Sequence, residues 1–288
     1  MKLKVLITGS SGQLGTDCIK ILSEHYETIS CSHKMLDIGE PLNINETLKK
    51  IKPHIIVNCA AFTRVDDCET MLEEAYKINR DGPKYLARYA HQLRSKLIHI
   101  STDYVFNGNR KIPLGYDETD SPDPVSIYGK SKYAGEQAIM SETDNFLIIR
   151  TAWLFGMGGN NFLKTIYRLA TNDKGPPLKV INTQYGSFTH SLDLAKQIHQ
   201  LIISESQGLY HASGEGYCTW YEGAKYFLKK MGVIKEIQAC TEKEFPTKAI
   251  RPYNSILNNT KLKKQNINIM PDWKESLDTF ASLLKKTI

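Results

Sequence analysis

Thr8-Gly9-Ser10-Ser11-Gly12-Gln13-Leu14-Gly15 lies between an apolar run at residues 3–8 and a helical pattern at 15–25, which keeps Cys18, Ile19 and Leu22 on one side. Glycine tightens such a turn and lets the backbone close on a pyrophosphate, while the free N–H groups of the following helix favour an anion. The spacing is G-x-x-G-x-x-G, one residue longer than the G-x-G-x-x-G fingerprint, and an ordinary strand–helix turn shows it by chance. Its position at the end of the first strand is what points to a dinucleotide. Gly9, Gly12, Gln13, Leu14 and Gly15 are the expected phosphate loop.

Outward from this turn, strand-like and helical runs alternate. Residues 27–32, 55–59, 97–101 and 146–151 read as strands; residues 45–51 and 70–92, and a segment starting near Val125, read as helices. Alternation at these lengths argues for a parallel sheet with right-handed crossovers. After Trp153 the pattern loosens. Residues 156–161 read as a loop, 162–171 as a helix broken by Lys174-Gly175-Pro176-Pro177, 178–182 as a strand, and 191–203 and 220–231 as amphipathic helices. The expected fold class is α/β, a Rossmann-type doubly wound parallel sheet. Residues 1–151 form the expected NADP(H)-binding domain. Residues 152–288 form mainly a smaller C-terminal substrate-binding lobe, with some elements returning to the main sheet.

The bulk properties narrow the function classes. A chain of 288 residues has room for such a sheet and a lobe. Its net charge of +6 is spread along the chain, which suits solubility and mild attraction for anionic ligands rather than nucleic-acid binding. No run approaches the 18 apolar residues of a membrane span, and the short N-terminal apolar stretch enters the glycine turn without a cleavage signal. Six cysteines without a C-x-x-C pair fit reduced packing residues and a cytoplasmic location. Eight histidines without H-E-x-x-H spacing argue against a catalytic metal.

The second strand sets the cofactor preference. Folds selective for NAD place an Asp or Glu at its end for the ribose 2′-hydroxyl. Here the strand ends Cys31-Ser32-His33-Lys34, with no carboxylate to repel a 2′-phosphate. Ser32, His33 and Lys34 are therefore candidate contacts, and NADPH is expected, with NADH accepted; a plain solvated loop is the alternative.

Tyr128-Gly129-Lys130-Ser131-Lys132 puts a phenol and an ammonium on one helix face, at i and i+4. A lysine charge favours the phenolate and should pull the phenol's pKa toward working pH, so the pair can exchange a proton with a ketone oxygen. Spacing alone proves little, because Tyr221/Lys225 and Tyr226/Lys230 share it; those pairs lie on one later helix and read as surface or packing residues. Tyr128 is preferred because it follows Ser101-Thr102-Asp103, which ends a strand of the sheet, where ligands bind. Thr102 is the hydroxyl expected to meet the same oxygen; taken alone, the triplet is also a good helix cap or turn.

Together these stretches resemble the extended short-chain dehydrogenase/reductase family, and within it the dTDP-4-dehydrorhamnose reductases. Matching segments also include Leu36-Asp37-Ile38, Val57-Asn58-Cys59-Ala60-Ala61-Phe62-Thr63, Val65-Asp66, Tyr104-Val105-Phe106, Arg150-Thr151-Ala152-Trp153, Asn160-Asn161-Phe162, Arg251-Pro252 and Pro271-Asp272-Trp273, so the resemblance runs through nearly the whole chain. It implies that Asp37 and Ile38 lie near the adenine and that Ala60, Ala61, Phe62 and Thr63 line the cofactor groove. Tyr128 is implied as proton donor, Lys132 as its partner, and Thr102 as the hydroxyl that tunes Tyr128. Asp103, Tyr104, Trp153, Asn161 and Arg251 are implied at the substrate. The implied reaction moves hydride from NAD(P)H to C4 of dTDP-4-dehydro-6-deoxy-L-mannose, giving dTDP-L-rhamnose, as used in polysaccharide biosynthesis. A monomer or homodimer is expected. The sequence departs from many relatives at Ser187-Phe188-Thr189-His190, where a Pro commonly precedes the Thr, and it lacks the acidic set that some members use for a magnesium-linked dimer.

Two rival readings stay open. Dehydratases of this fold carry an Asp-Glu pair after the Thr, whereas Asp103 is followed here by Tyr104, which disfavours elimination. A non-catalytic NADP-binding subunit, like the regulatory β subunit of methionine adenosyltransferase, shares the fold; retention of Tyr128, Lys132 and Thr102 argues for turnover.

Overall fold

Val5, Leu6 and Ile7 are wholly buried, and they pack alternately into two separate apolar clusters. A strand apolar on both faces must be covered on both, which is the signature of a parallel sheet between helical layers. The computed structural model, which describes residues 2–172 and 177–287, has this arrangement. Strands β1 (Lys4–Thr8), β2 (Glu27–Cys31), β3 (Ile55–Asn58), β4 (Lys96–Thr102), β5 (Phe146–Thr151) and β6 (Gly208–His211) form one sheet in the order 2-1-3-4-5-6. Every pairing within it is parallel.

The longer helices are α1 (Gln13–Leu22), α2 (Pro41–Ile51), α3 (Gly82–Leu93), α4 (Ile127–Glu142), α5 (Phe162–Ala170), α6 (Ser191–Ile203), α7 (Trp220–Met231) and α8 (Trp273–Lys285), and the first four with α6 cover the sheet. Leu14, Cys18 and Leu22 of α1 join Leu194, Ile198 and Leu201 of α6 against Val5 and Ile7. On the other face Ile44 and Leu48 of α2, Leu86 and Ala90 of α3, and Ile139 of α4 pack on Leu6, Ile56 and Ile148. Thus β6 and α6, from beyond residue 151, complete the sheet and its cover. The remaining helices α5, α7 and α8 gather around Phe155, Phe188, Phe227, Trp273 and Phe280. A reciprocal Thr219–Glu222 capping box starts α7, and left-handed Gly232 ends it.

The single helix expected over 70–92 is broken. Leu72–Tyr76 runs into a π-helical turn, Lys77–Asp81, before α3 begins at Gly82 with Pro83 next. Proline has no N–H to continue the preceding ladder, and the widened turn aims buried Asn79 inward. Of the expected break at 174–177, residues 174–176 lie outside the described residues. Among the described residues no helix is long and apolar enough to cross a membrane.

Strand order reverses between β1 and β3. The crevice beyond the carboxyl ends of these strands is where open α/β sheets bind ligands.

Candidate active site

The loops leaving β1 and β3 touch at that switch point. Gly9 has φ +59°, and a Cβ there would sit 2.8 Å from the Ala60 nitrogen; one on Gly15 would sit 2.2 Å from the Gly9 carbonyl oxygen. Only glycine lets α1 start this close to the loop. The N-cap of α1 is Gly12, with no side-chain cap and no acid in the first turn. Its N–H groups and positive dipole end are left for an anion, which is the fit a pyrophosphate requires.

This loop forms one wall of a cavity of about 890 Å³. Of the residues expected at the cofactor, Gly9, Gly12, Gln13, Leu14, His33, Ile38, Ala60, Ala61, Phe62 and Thr63 line it. Gly15 lies beneath the loop. Ser32, Lys34 and Asp37 stand outside the lining; Asp37 accepts from the Gly39 N–H (2.8 Å) and sits 3.5 Å from His33.

Tyr128, Lys132, Thr102, Asp103, Tyr104, Trp153 and Asn161 line the same cavity. Ser126 caps α4 by accepting from the Gly129 N–H (3.1 Å), so Tyr128 is held in the first turn. Burial pushes the Tyr128 phenol up from its ordinary range; the Thr102 hydroxyl pulls it back and Asp103 raises it further. This departs from the expectation that Lys132 would draw the phenol down. Lys132 Nζ turns instead to β4, donating to the Ile100 carbonyl (2.6 Å) and lying 3.2 Å from His99 Nε2. Burial brings the Lys132 amine down to about 8, with Glu136 and Cys59 opposing. Asp103 accepts from the Thr102 hydroxyl (2.9 Å), and burial lifts its carboxyl to about 6.

The far wall is aromatic. Trp153 adopts φ +44°, a left-handed value that costs a non-glycine residue strain and clusters at functional sites. Its indole stacks on Trp220 (3.7 Å, 11°) and meets Phe188 edge-on (5.1 Å). Gly186 makes the slot, since a Cβ there would lie 2.4 Å from Trp153 Cε2. Asn161 caps α5 and donates to Gln13 Oε1 (3.0 Å), linking the start of α5 to the phosphate loop. Arg251 stands outside the lining, gripping Asp66 with both terminal nitrogens (2.8 and 3.2 Å).

The family model described as RmlD substrate binding domain matches residues 2–285. The chain belongs to this family. Among its relatives, the spore coat polysaccharide biosynthesis protein SpsK of Bacillus subtilis is 40% identical over 275 residues, covering 95% of each chain. The dTDP-4-dehydrorhamnose reductase of Aggregatibacter actinomycetemcomitans is 37% identical over 95% of this chain and 97% of the relative. Among solved structures, the dTDP-4-dehydrorhamnose reductase of Bacillus anthracis in complex with NADP superposes with a TM-score of 0.93 at 40% identity, covering 97% of this chain and 99% of the other. The reductase ortholog of Clostridium acetobutylicum gives 0.95 at 39%, covering 98% and 100%.

Within this member of the RmlD family, several polar residues that sequence reading did not single out support the site. Asn79 accepts from the Phe62 N–H (2.8 Å) and donates to the Phe62 carbonyl (3.0 Å) and Ser131 Oγ (3.1 Å), fixing the β3 loop to α4. Glu136 takes a two-point grip from buried Arg150 (2.9 and 2.7 Å) and a hydrogen bond from Ser101 (2.5 Å). Thr8, Asn58 and His99 run in a hydrogen-bonded line to Lys132. Thr8, Asn58, Ser101 and Arg150 lie inside the quoted stretches but were given no role of their own there, and Trp220 entered as the first residue of a helix read for its Tyr/Lys spacings.

Proposed function

We propose that the chain is an NADPH-dependent dTDP-4-dehydrorhamnose reductase, reducing the C4 ketone of dTDP-4-dehydro-6-deoxy-L-mannose to dTDP-L-rhamnose. One observation carries this reading: Tyr128, Thr102 and Lys132 share a single cavity with an uncapped, glycine-lined helix start. NADPH, when bound, supplies the hydride. The phosphate loop and the first turn of α1 would hold its pyrophosphate, with His33 and Ile38 on the adenosine side and Lys132 toward the ribose.

The chain's own residues handle the proton. A phenol kept protonated by burial is the form that a reduction needs, because the alkoxide formed at C4 must be neutralised. Tyr128 donates that proton to the C4 oxygen, and the Thr102 hydroxyl, its one hydrogen turned from Asp103 to the substrate, holds the same oxygen. Trp153 packs against the sugar ring, with Asp103, Tyr104 and Asn161 around it. Tyr104 stands where a dehydratase needs a second acid, so elimination lacks its donor. The reading includes a cytoplasmic setting, consistent with six free cysteines.

Tyr128→Phe tests it. Turnover should fall by about 10²–10⁴-fold, the usual worth of a positioned acid. NADPH affinity, measured by quenching of intrinsic fluorescence, should stay near the parental value. Near-parental turnover would remove Tyr128 from the chemistry. Tight NADPH binding without turnover in the parent would favour the non-catalytic subunit.

A further inference from the structure

Lys132 is buried with one partner whose protonation can be worked out from its neighbours. His99 is buried on β4, between Asn58 and Lys132. The Asn58 amide is oriented by what surrounds its oxygen: Thr8 Oγ1 donates to Oδ1 (2.6 Å) and the Ala60 N–H points at it (3.2 Å). Turning the amide over would set its NH2 against the Ala60 N–H. The Asn58 Nδ2 therefore faces His99 Nδ1 at 2.9 Å and donates to it. A ring nitrogen that accepts carries no hydrogen, so the proton of the neutral imidazole sits on Nε2. Burial, the larger cause, holds the imidazole well below its ordinary range, and a charge on Lys132 would lower it further, so the ring is neutral beside either form of the lysine.

Nε2–H then points at Lys132 Nζ, 3.2 Å away. An ammonium has no lone pair to receive it; a neutral amine has one. As an amine, Lys132 accepts from His99, donates to the Ile100 carbonyl and keeps one N–H for the cavity. As an ammonium it faces a donor with a donor. We propose that His99 is a positioning residue whose fixed Nε2–H tautomer favours the amine form of Lys132 and so sets the pH at which that lysine changes charge.

The other groups facing Lys132 do not remove the argument. Glu136, on its own helix, favours the ammonium but is neutralised by Arg150 from β5; Cys59, after β3, also favours it; Tyr128, one turn earlier on α4, is an uncharged phenol. His99 is thus the neighbour that opposes the charge by hydrogen-bond direction. The consequence deepens the reductase reading and rests on it only in part: a lysine poised near working pH can change charge during turnover, whereas an ordinary buried ion pair would hold it fixed.

The test reads the proton positions themselves. In ¹⁵N spectra of the labelled protein, the His99 ring, assigned by comparison with His99→Gln, should carry its hydrogen on Nε2. A hydrogen on Nδ1 would overturn the proposal. The Lys132 titration, followed through its ¹³Cε shift, should move upward by about one pH unit in His99→Gln, whose amide can turn its oxygen to the ammonium. Asn58→Asp should move it the same way, because a carboxylate accepts from Nδ1–H and frees the Nε2 lone pair. In both variants the alkaline limb of kcat/KM should follow. An unchanged Lys132 titration in folded His99→Gln would mean a merely structural histidine and would refute the proposal. These spectra need no substrate. The expected tautomer in a chain that fails to reduce the keto sugar would therefore sink the reductase reading and leave this one standing.

Discussion

Asp103 shows how much a single side chain gives up to serve a cavity. Its carboxyl is buried beside Thr102, and burial outweighs the hydroxyls of Ser255 and Thr102 that favour the charged form. A folded-state value of about 6, above the ordinary 3.8, means that the folded protein holds this proton more tightly than the unfolded chain. Stability from this group is therefore fully present below about pH 4 and is lost as pH rises through 6. The loss at neutral pH is about 3 kcal/mol. Asp103→Asn should then be more stable than the parent at pH 7, by up to about that amount, while turnover falls. Urea denaturation at pH 7 and pH 4 checks it: the advantage should shrink at the lower pH. An advantage independent of pH would mean that the carboxyl is not the source.

At the scale of elements, the start of α1 is the tightest fit. The Cβ of Gly15→Ala would meet the Gly9 carbonyl and Ser10 Cα (2.8 Å), which are backbone and cannot turn aside. The variant should lose about 1–3 kcal/mol, as overpacked sites do. It should also bind NADPH more weakly, because the N–H groups of the first turn shift with the helix. Fluorescence titration and denaturation measure both; normal NADPH affinity would separate the phosphate loop from the cofactor. The strands were readable before the structure because apolar runs such as Val5-Leu6-Ile7 end at glycine or polar turns. α6 and α7 were readable because their apolar period is regular. The π turn at 77–81 was not, since a widened turn depends on where Asn79 finds partners, and those lie on Phe62 and Ser131. Likewise, i and i+4 spacing put Tyr128 and Lys132 on one face, but the direction of Nζ is decided by Ile100 and His99 on another element.

Across the whole molecule, segments from beyond residue 151 are tied to the first half by a few polar contacts around one cavity. Asn161 reaches Gln13, Ser191 reaches Asp17, and Arg251 reaches Asp66. The Arg251–Asp66 pair is partly exposed, with side-chain exposures of 21% and 40%, so water screens it. Arg251→Ala should cost only about 1 kcal/mol of stability. Because the pair anchors the segment after Ala249 beside the site, KM for the nucleotide sugar should rise severalfold with KM for NADPH unchanged. Steady-state kinetics with each substrate varied decides it, and equal rises in both would mean a general loss of structure.

The reductase account turns on stoichiometry. Reduction consumes cofactor mole for mole, whereas epimerases and dehydratases of this fold recycle it. The most direct measurement mixes the protein with NADPH and freshly prepared dTDP-4-dehydro-6-deoxy-L-mannose, then follows reduced-nicotinamide absorbance while product is counted by chromatography. The account predicts one dTDP-L-rhamnose for each NADPH oxidised. Product formed without net NADPH loss, or no loss of absorbance with fresh substrate present, would contradict it.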